Sequence, residues 1–305
     1  MRAEIEQSLQ QEAKAVSQNI DKMLFERLQN AQTWRRLEVT QDIKVNDIDK
    51  RLSKFLAELK SGYQDVYVEL LCTNLDGHVV ASSNSGHIDS IRKPAESILL
   101  GQDEGTNIRL ETLQFSKTED SAVLPIQARV PSLFNDGEIG TLYLLFNWGQ
   151  IYHILDEAAQ GDHDLALIDK DGRIIAASAK LRNRGGLMKS IPASWLSGHK
   201  SGIRTINGTP FYGKDVIIGF DRSSGFQRFP GFDWTTLVIK NSHRANIPVR
   251  QMALVFLLLL ALTSAIAISF SYMVAGRISR PIAALTNFTR RFTRDKQLPE
   301  LPQAV

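Results

Sequence analysis

The sequence predicts an α+β fold tied to one membrane helix, and three observations carry that reading. The first 61 residues hold neither glycine nor proline, which suits long helix. From Asp65 the chain changes to short alternating runs broken by turn residues such as Asp76-Gly77, the signature of antiparallel strands. Near the C-terminus, residues 252–276 form a run of 25 without a charge. That is long enough to span a bilayer as a helix, with every backbone polar group satisfied inside the segment.

In the N-terminal part (1–61), Leu9, Ala13, Val16, Ile20 and Met23 follow a 4-3-4-3 spacing. This is the seam of a helix that pairs lengthwise, either with the same helix of a second subunit or along its own domain. β-branched residues interrupt the pattern near residues 38–45. Asn46 or Asp47 then caps a second helix that turns Ile48, Leu52, Phe55, Leu56 and Leu59 inward and ends at Gly62.

Two strand-rich stretches follow, 62–160 and 161–245. DGHVVASS at 76–83 recurs as DGRIIAAS at 171–178, each after an apolar strand (VYVELLCTN and DLALIDK). A repeat that includes both the turn and the next strand predicts two copies of one small module. The first continues through NIRLETLQFS, AVLPIQARV, EIGTLYLLFNW and a helix, GQIYHILDEAA. The second continues through GIRTI, TPFYGKDVIIGF and FDWTTLVIK. Each is a few antiparallel strands with helical cover.

The membrane helix is assigned to 249–276. Arg277, Arg280, Arg290, Arg291, Arg294 and Lys296 follow it, while Lys240, Arg244 and Arg250 precede it. The excess of basic residues on the C-terminal side puts that side in the cytoplasm and residues 1–248 outside. Export of so large a domain, from a start that carries no signal peptide, predicts a further membrane helix upstream of Met1.

Composition narrows the chemistry. A net charge of +3, much of it beside the membrane run, gives no support for nucleic-acid binding. Cys72 is the only cysteine and lies in an apolar strand pattern, which predicts a buried, inert thiol. The six histidines (His78, His87, His153, His163, His199, His243) form no metal-ligand pair. No nucleophile elbow, phosphate loop or dinucleotide fingerprint occurs. The expectation is a chain with no catalytic residues, no metal and no cofactor.

A long N-terminal helix, two PAS-like β modules and a closing strand FPGFDWTTLVIK leading into a membrane helix resemble a double Cache sensor. GRISRPIAALTNFTRRF resembles the first helix of a HAMP linker at 277–305: Pro281 follows the membrane closely, Ile278, Leu285 and Phe292 are spaced by seven, and Phe288 lies between the last two. The same basic segment also suits anionic membrane lipid. The resemblance implies a homodimeric receptor of a bacterial inner membrane. Its signal would be a periplasmic small molecule, met directly or on a periplasmic binding protein. Its effector, beyond Val305, is expected to be a histidine kinase acting on a cytoplasmic response regulator, with a diguanylate cyclase or a methyl-accepting chemoreceptor as alternatives.

Such sensors bind ligands mostly in the membrane-distal module, here 62–160. A pocket there needs a few polar groups on an otherwise apolar sheet. Tyr67 and Glu69 on the first strand, Gln127 and Arg129 opposite Leu124, Ile126 and Ala128, and Tyr143 and Asn147 on the following strand are the candidates. The family's amino-acid pattern is not followed, since Arg92 leads into Lys93-Pro94.

Overall fold

The computed structural model describes residues 2–93, 95–100, 108–115, 122–159, 161, 163–187, 189–192, 198–206, 215–241 and 247–274, with 277, 286, 287 and 289. It divides into two units, Met1–Arg244 and Ala245–Val305. The candidate HAMP residues Ile278, Pro281, Leu285, Phe288 and Phe292 lie outside the described residues.

The first unit begins with helix α1 (Arg2–Trp34), a 3-10 segment (Glu38–Val45) and α2 (Arg51–Gly62). A seven-stranded antiparallel sheet follows, in spatial order β2 (Val79–Ser82), β1 (Tyr67–Thr73), β7 (Glu138–Asn147), β6 (Ala122–Pro131), β4 (Ile108–Glu111) and β3 (Ser97–Leu100). A short β5 (Gln114–Phe115) also pairs with β6. After α3 (Gly149–Ala158) comes a five-stranded antiparallel sheet. Its order is β9 (Ile174–Ala177), β8 (His163–Ile168), β12 (Thr235–Asn241), β11 (Val216–Arg222) and β10 (Ser201–Ile206), with α4 (Ala179–Arg182) after β9. Order β2-β1-β7-β6-β4 in the first module matches β9-β8-β12-β11-β10 in the second.

The repeat extends to individual hydrogen bonds. Asn74 Oδ1 accepts from the N–H groups of Asp76 and His78, both at 3.0 Å, as Asp169 Oδ1 does from Asp171 and Arg173, both at 2.9 Å. Such a side-chain turn followed by a left-handed residue needs glycine, supplied by Gly77 (φ +85°) and Gly172 (φ +81°). One strand later, the Ser83 hydroxyl accepts the Leu70 N–H at 3.0 Å, and that of Ser178 accepts the Leu165 N–H at 3.2 Å.

The α1 seam packs inside the chain. Leu9, Ala13, Val16 and Ile20 are buried, Val16 to 7 % exposure, while Met23 is half-buried and Leu24 takes the next inward place. From Leu9 to Trp34 the buried positions recur about every 3.6 residues, the period of a straight helix lying on a surface, whereas a supercoiled pair keeps 3.5. The surface is the second-module sheet. A Cβ added at Gly219 on β11 would stand 2.5 Å from the Leu9 carbonyl carbon, so helix and strand backbones touch there. Gln10 Nε2 donates to Ser201 Oγ (2.9 Å), and Asp21 accepts from Ser223 Oγ (2.6 Å) and the Gly225 N–H (3.0 Å). Further along, Trp34 meets Tyr63 and Tyr67, and Asn30 Nδ2 donates to the Tyr67 hydroxyl, tying α1 to the first module.

The α2 expectation needs one correction. Asp47 does act as a cap: its carboxylate accepts the Leu52 and Ser53 N–H groups (2.9 and 3.0 Å). Asn46, Asp47 and Lys50 are left-handed, however, so the helix starts only at Arg51. Ile48 therefore points outward at 75 % exposure while Leu52 and Leu56 are buried. Cys72 is fully buried, and burial pushes its thiol pKa far upward, which keeps it a thiol.

In the second unit, α5 (Ile247–Val274) contains Leu254–Val274, with a mean hydropathy of 2.4, long and apolar enough to cross a membrane. Its described side chains are exposed. The Thr263 hydroxyl donates back to the Leu259 and Leu260 carbonyls at 3.0 Å, so it needs no outside partner in an apolar medium.

Candidate functional site

One face of the first sheet packs on α1 and α2 through Tyr67, Leu70, Phe146 and Ile126. The other face carries a small apolar patch of Leu71, Val79, Tyr143 and Leu145, and around it a set of buried polar groups. Strand register puts them there. Leu71 pairs with Tyr143, Tyr143 with Gln127 and Gln127 with Arg109, so all four project to this face, and Glu111 follows two residues after Arg109.

Glu111, 3 % exposed, accepts from Arg92 Nη2 (3.1 Å), from Gln114 Nε2 (2.9 Å) and from Gln127 Nε2. The Arg92 guanidinium carbon lies 4.6 Å from the centre of the Tyr143 ring, a cation–π stack. Among the described residues Arg92 Nε is buried with no hydrogen-bond acceptor. Burial raises the Tyr143 hydroxyl pKa, with Arg92 partly opposing, so the phenol stays protonated. On the other side of the patch, buried Glu69 accepts from Ser82 Oγ (2.6 Å) and contacts His87 Nδ1 at 2.8 Å. Both clusters hold the segment after β2 against the sheet: His87 and Arg92 lie on it, and the Arg92 N–H donates to the Gly77 carbonyl at 2.9 Å.

Of the six residues expected at a pocket, Glu69, Gln127, Arg129, Tyr143 and Asn147 share this face by strand register. Arg129 stands at its edge, half-exposed, 3.7 Å from Glu138. Tyr67 does not reach the face. A bulge between Tyr67 and Glu69 turns it to the opposite side, where it is buried beneath α1. Asn147, at the end of β7, turns its amide to the chain leading into α3, its Oδ1 accepting the Gly149 N–H at 2.9 Å and its Nδ2 donating to the Asp65 carbonyl. Arg92, Glu111 and His87 were not among the candidates. Position-by-position reading of the two repeats would have found Arg92.

That comparison separates the modules chemically. The Ile191 N–H donates to the Gly172 carbonyl at 2.8 Å, as the Arg92 N–H does to Gly77, so Ile191 takes the place of Arg92. By strand register Leu237 takes the place of Tyr143, and Phe220 that of Gln127. Ile191, Leu237 and Phe220 belong to one closed apolar core. The first module thus places a guanidinium, a phenol and an amide where the second has three hydrocarbons.

Neither a protein-family profile nor a curated protein matches the sequence. Solved structures do match the shape. The ligand-binding domain of the Pseudomonas fluorescens chemoreceptor CtaA, in complex with L-serine, is 15 % identical with a TM-score of 0.52, over 80 % of this chain and 100 % of that one. The sensor domain of the V. cholerae histidine kinase DctB is 10 % identical with a TM-score of 0.53, over 76 % and 95 %. The ligand-binding domain of the Pseudomonas aeruginosa chemoreceptor PctB, in complex with L-Arg, is 14 % identical with a TM-score of 0.52, over 81 % and 92 %. At these identities the likeness is one of fold: the chain carries the double-Cache-like architecture of extracellular ligand-binding and sensor domains.

Proposed function

We propose that this chain is the sensor and membrane-spanning part of a bacterial signal-transduction receptor, and that a small molecule binds on the Arg92–Tyr143–Glu111–Glu69 face of the first module. The polar set standing where the second module has Ile191, Leu237 and Phe220 carries this reading. An apolar core is the more economical filling of such a face, because buried charges pay desolvation that their pairing often only balances. Buried carboxylates beside an arginine with an unused N–H suit a ligand that brings both an anionic and a cationic group. The solved amino-acid complexes of CtaA and PctB make amino acids the first class to try.

In this reading residues 1–248 are periplasmic, α5 crosses the inner membrane, and two copies of the chain work together. Binding shifts the pose of the first module and moves the membrane helices by a small piston or rotation. The favoured output is a histidine kinase signalling through a response regulator, as the likeness to the DctB sensor domain suggests. A non-enzymatic chemoreceptor is the second reading, supported by the likeness to CtaA and PctB.

The test is calorimetry and thermal shift on the detergent-solubilised 305-residue chain with the proteinogenic amino acids and small dicarboxylates. At least one should bind, and Arg92→Ala should weaken it by roughly ten- to a hundredfold. A panel in which nothing binds, or binding indifferent to both Arg92→Ala and Glu111→Gln, removes this reading of the site.

A further inference from the structure

The repeat places one carboxylate at the same point of both modules. The Leu70 N–H bonds to Ser83 Oγ as the Leu165 N–H does to Ser178 Oγ, so Glu69 and Asp164, each one residue earlier, correspond. Strand register agrees: Glu69 pairs with Leu145, two residues after Tyr143, and Asp164 with Ile239, two after Leu237. Both acids are buried. A carboxylate cut off from water needs a partner to stay charged, and each module takes that partner from the segment after its second strand. Glu69 meets His87 Nδ1 at 2.8 Å, and Asp164 Oδ2 meets Arg184 Nη1 at 3.1 Å. The two bases are similarly exposed, 55 % for the His87 side chain and 49 % for that of Arg184. What separates the pairs is therefore their chemistry.

A guanidinium keeps its charge, whereas an imidazole is the side chain that gains and loses a proton between about pH 5 and 8. Charged, His87 neutralises Glu69. Neutral, it leaves the carboxylate with an uncharged donor and the Ser82 hydroxyl. Exposure keeps the imidazole within reach of solvent protons. The segment it holds is otherwise fastened by backbone bonds and by Arg92. The Asp89 N–H donates to the Val79 carbonyl, the Val79 N–H to that of Ser90 and the Arg92 N–H to that of Gly77, all at 2.9 Å, while the Arg92 side chain pairs with Glu111. The other titratable or charged groups here are Asp89 and Lys93 on the segment and His78 on the strand edge it faces, whose backbone bridges to Ile91. All three side chains are exposed, and among the described residues none bonds to His87.

We infer that His87 and Glu69 form a pH-sensitive latch on the segment that carries Arg92, closed while the imidazole is charged and loosened as it loses its proton. The Arg184–Asp164 pair is the non-titrating counterpart in the second module. The consequence for a ligand rests on the reading of the Arg92 face given above. A loosened segment holds Arg92 less firmly beside Tyr143 and Glu111, so a ligand on that face binds less tightly at alkaline pH. The sensor's response to its ligand is then conditional on the pH outside the membrane.

Amide hydrogen exchange on the full 305-residue chain in detergent tests the latch without any ligand, so a failed latch and a failed binding panel are told apart. After correction for intrinsic exchange, the Asp89 and Arg92 amides should lose roughly tenfold in protection between about pH 5.5 and 8, the difference between a charge-assisted and a neutral hydrogen bond. The Ile191 amide, which takes the place of the Arg92 amide in the second module, should stay within roughly threefold. His87→Gln, at an exposed position that tolerates the change, should show the low protection at both pH values, while His78→Gln keeps the wild-type response. Protection at Asp89 and Arg92 that ignores pH, an equal loss at Ile191, or a pH response that survives in His87→Gln would each overturn the proposal.

Discussion

His163 Nε2 lies 2.6 Å from Glu12 Oε1, so the strand that opens the second module is ion-paired to the first third of α1. The same nitrogen is 3.2 Å from the Ala158 carbonyl at the end of α3. Hydrogen bonding to Glu12 raises the His163 pKa above its ordinary 6.5, against a smaller opposing effect of burial. Asp21, Asp164 and Asp221, on α1, β8 and β11, are raised above the usual carboxylate value, in each case first by burial.

All four shifts have the same sign for stability. A group with a raised folded pKa stabilises the fold fully below its unfolded value and ceases to as pH rises through the folded value. For His163 the loss begins above 6.5, and for the three aspartates above 3.8. The melting temperature of the sensor should therefore fall as pH rises, through the aspartates from above 3.8 and through His163 from above 6.5. His163→Gln should flatten the upper half of that fall. A melting temperature that climbs across the range would contradict the assignment.

Val16→Glu tests where the α1 seam packs. A seam facing a second subunit would let the variant weaken pairing and leave each subunit folded. Val16 instead is buried against its own chain. Placing an unpaired carboxylate there should destabilise the subunit itself by about 3 kcal/mol or more. Urea unfolding at two protein concentrations distinguishes the cases, because a loss confined to pairing would change with concentration.

Gly219→Ala should be costly and Gly62→Ala should not. A Cβ at Gly219 meets the Leu9 carbonyl carbon and oxygen at 2.5 and 2.6 Å and the Gln10 nitrogen at 2.8 Å, all backbone atoms that cannot rotate aside. The expected loss is about 2–3 kcal/mol, in the upper range for overpacking. At Gly62, the last residue of α2, nothing lies within 4 Å. Alanine there should be neutral or gain up to about 0.5 kcal/mol. Denaturant midpoints of the two variants give the comparison.

Ser83→Ala and Ser178→Ala remove the same bond from each module, leaving the Leu70 or Leu165 N–H without its side-chain acceptor. Each should cost about 1–2 kcal/mol. Since the two lie in separate sheets, the double variant should lose the sum. A shortfall of more than about 0.5 kcal/mol would mean the modules unfold with shared contacts at these strands.

Much of the architecture was legible because its causes are local. The two DG turns need only an Asx side chain and a left-handed glycine, both visible in DGHVVASS and DGRIIAAS, and strand alternation is a property of neighbours. The choice of partner for α1 was not legible. Periods of 3.5 and 3.6 differ by less than roughly half a residue over the four steps from Leu9 to Met23, and the drift shows only at Leu24. Tyr67 was misplaced because a bulge reverses the face of everything before it, and β1 carries no glycine or proline to announce one. Ile48 was misplaced because left-handed Asn46, Asp47 and Lys50 delay the helix. Arg92 carries no local signal, because Lys93-Pro94 follows it in place of the family's amino-acid pattern. What marks it is its sheet-facing place, visible once the second copy shows an isoleucine there.

The contact between Gly219 and the backbone of Leu9 and Gln10 has a mechanical meaning. Where most helices rest on sheets through a cushion of side chains, this junction has none, so it is stiff and deforms little under load. Residues 84–92, by contrast, are held to the first sheet by the carboxylates of Glu69 and Glu111 and by backbone bonds to Gly77 and Val79. Any load carried by α1 therefore passes to β11 with almost no slack at this junction.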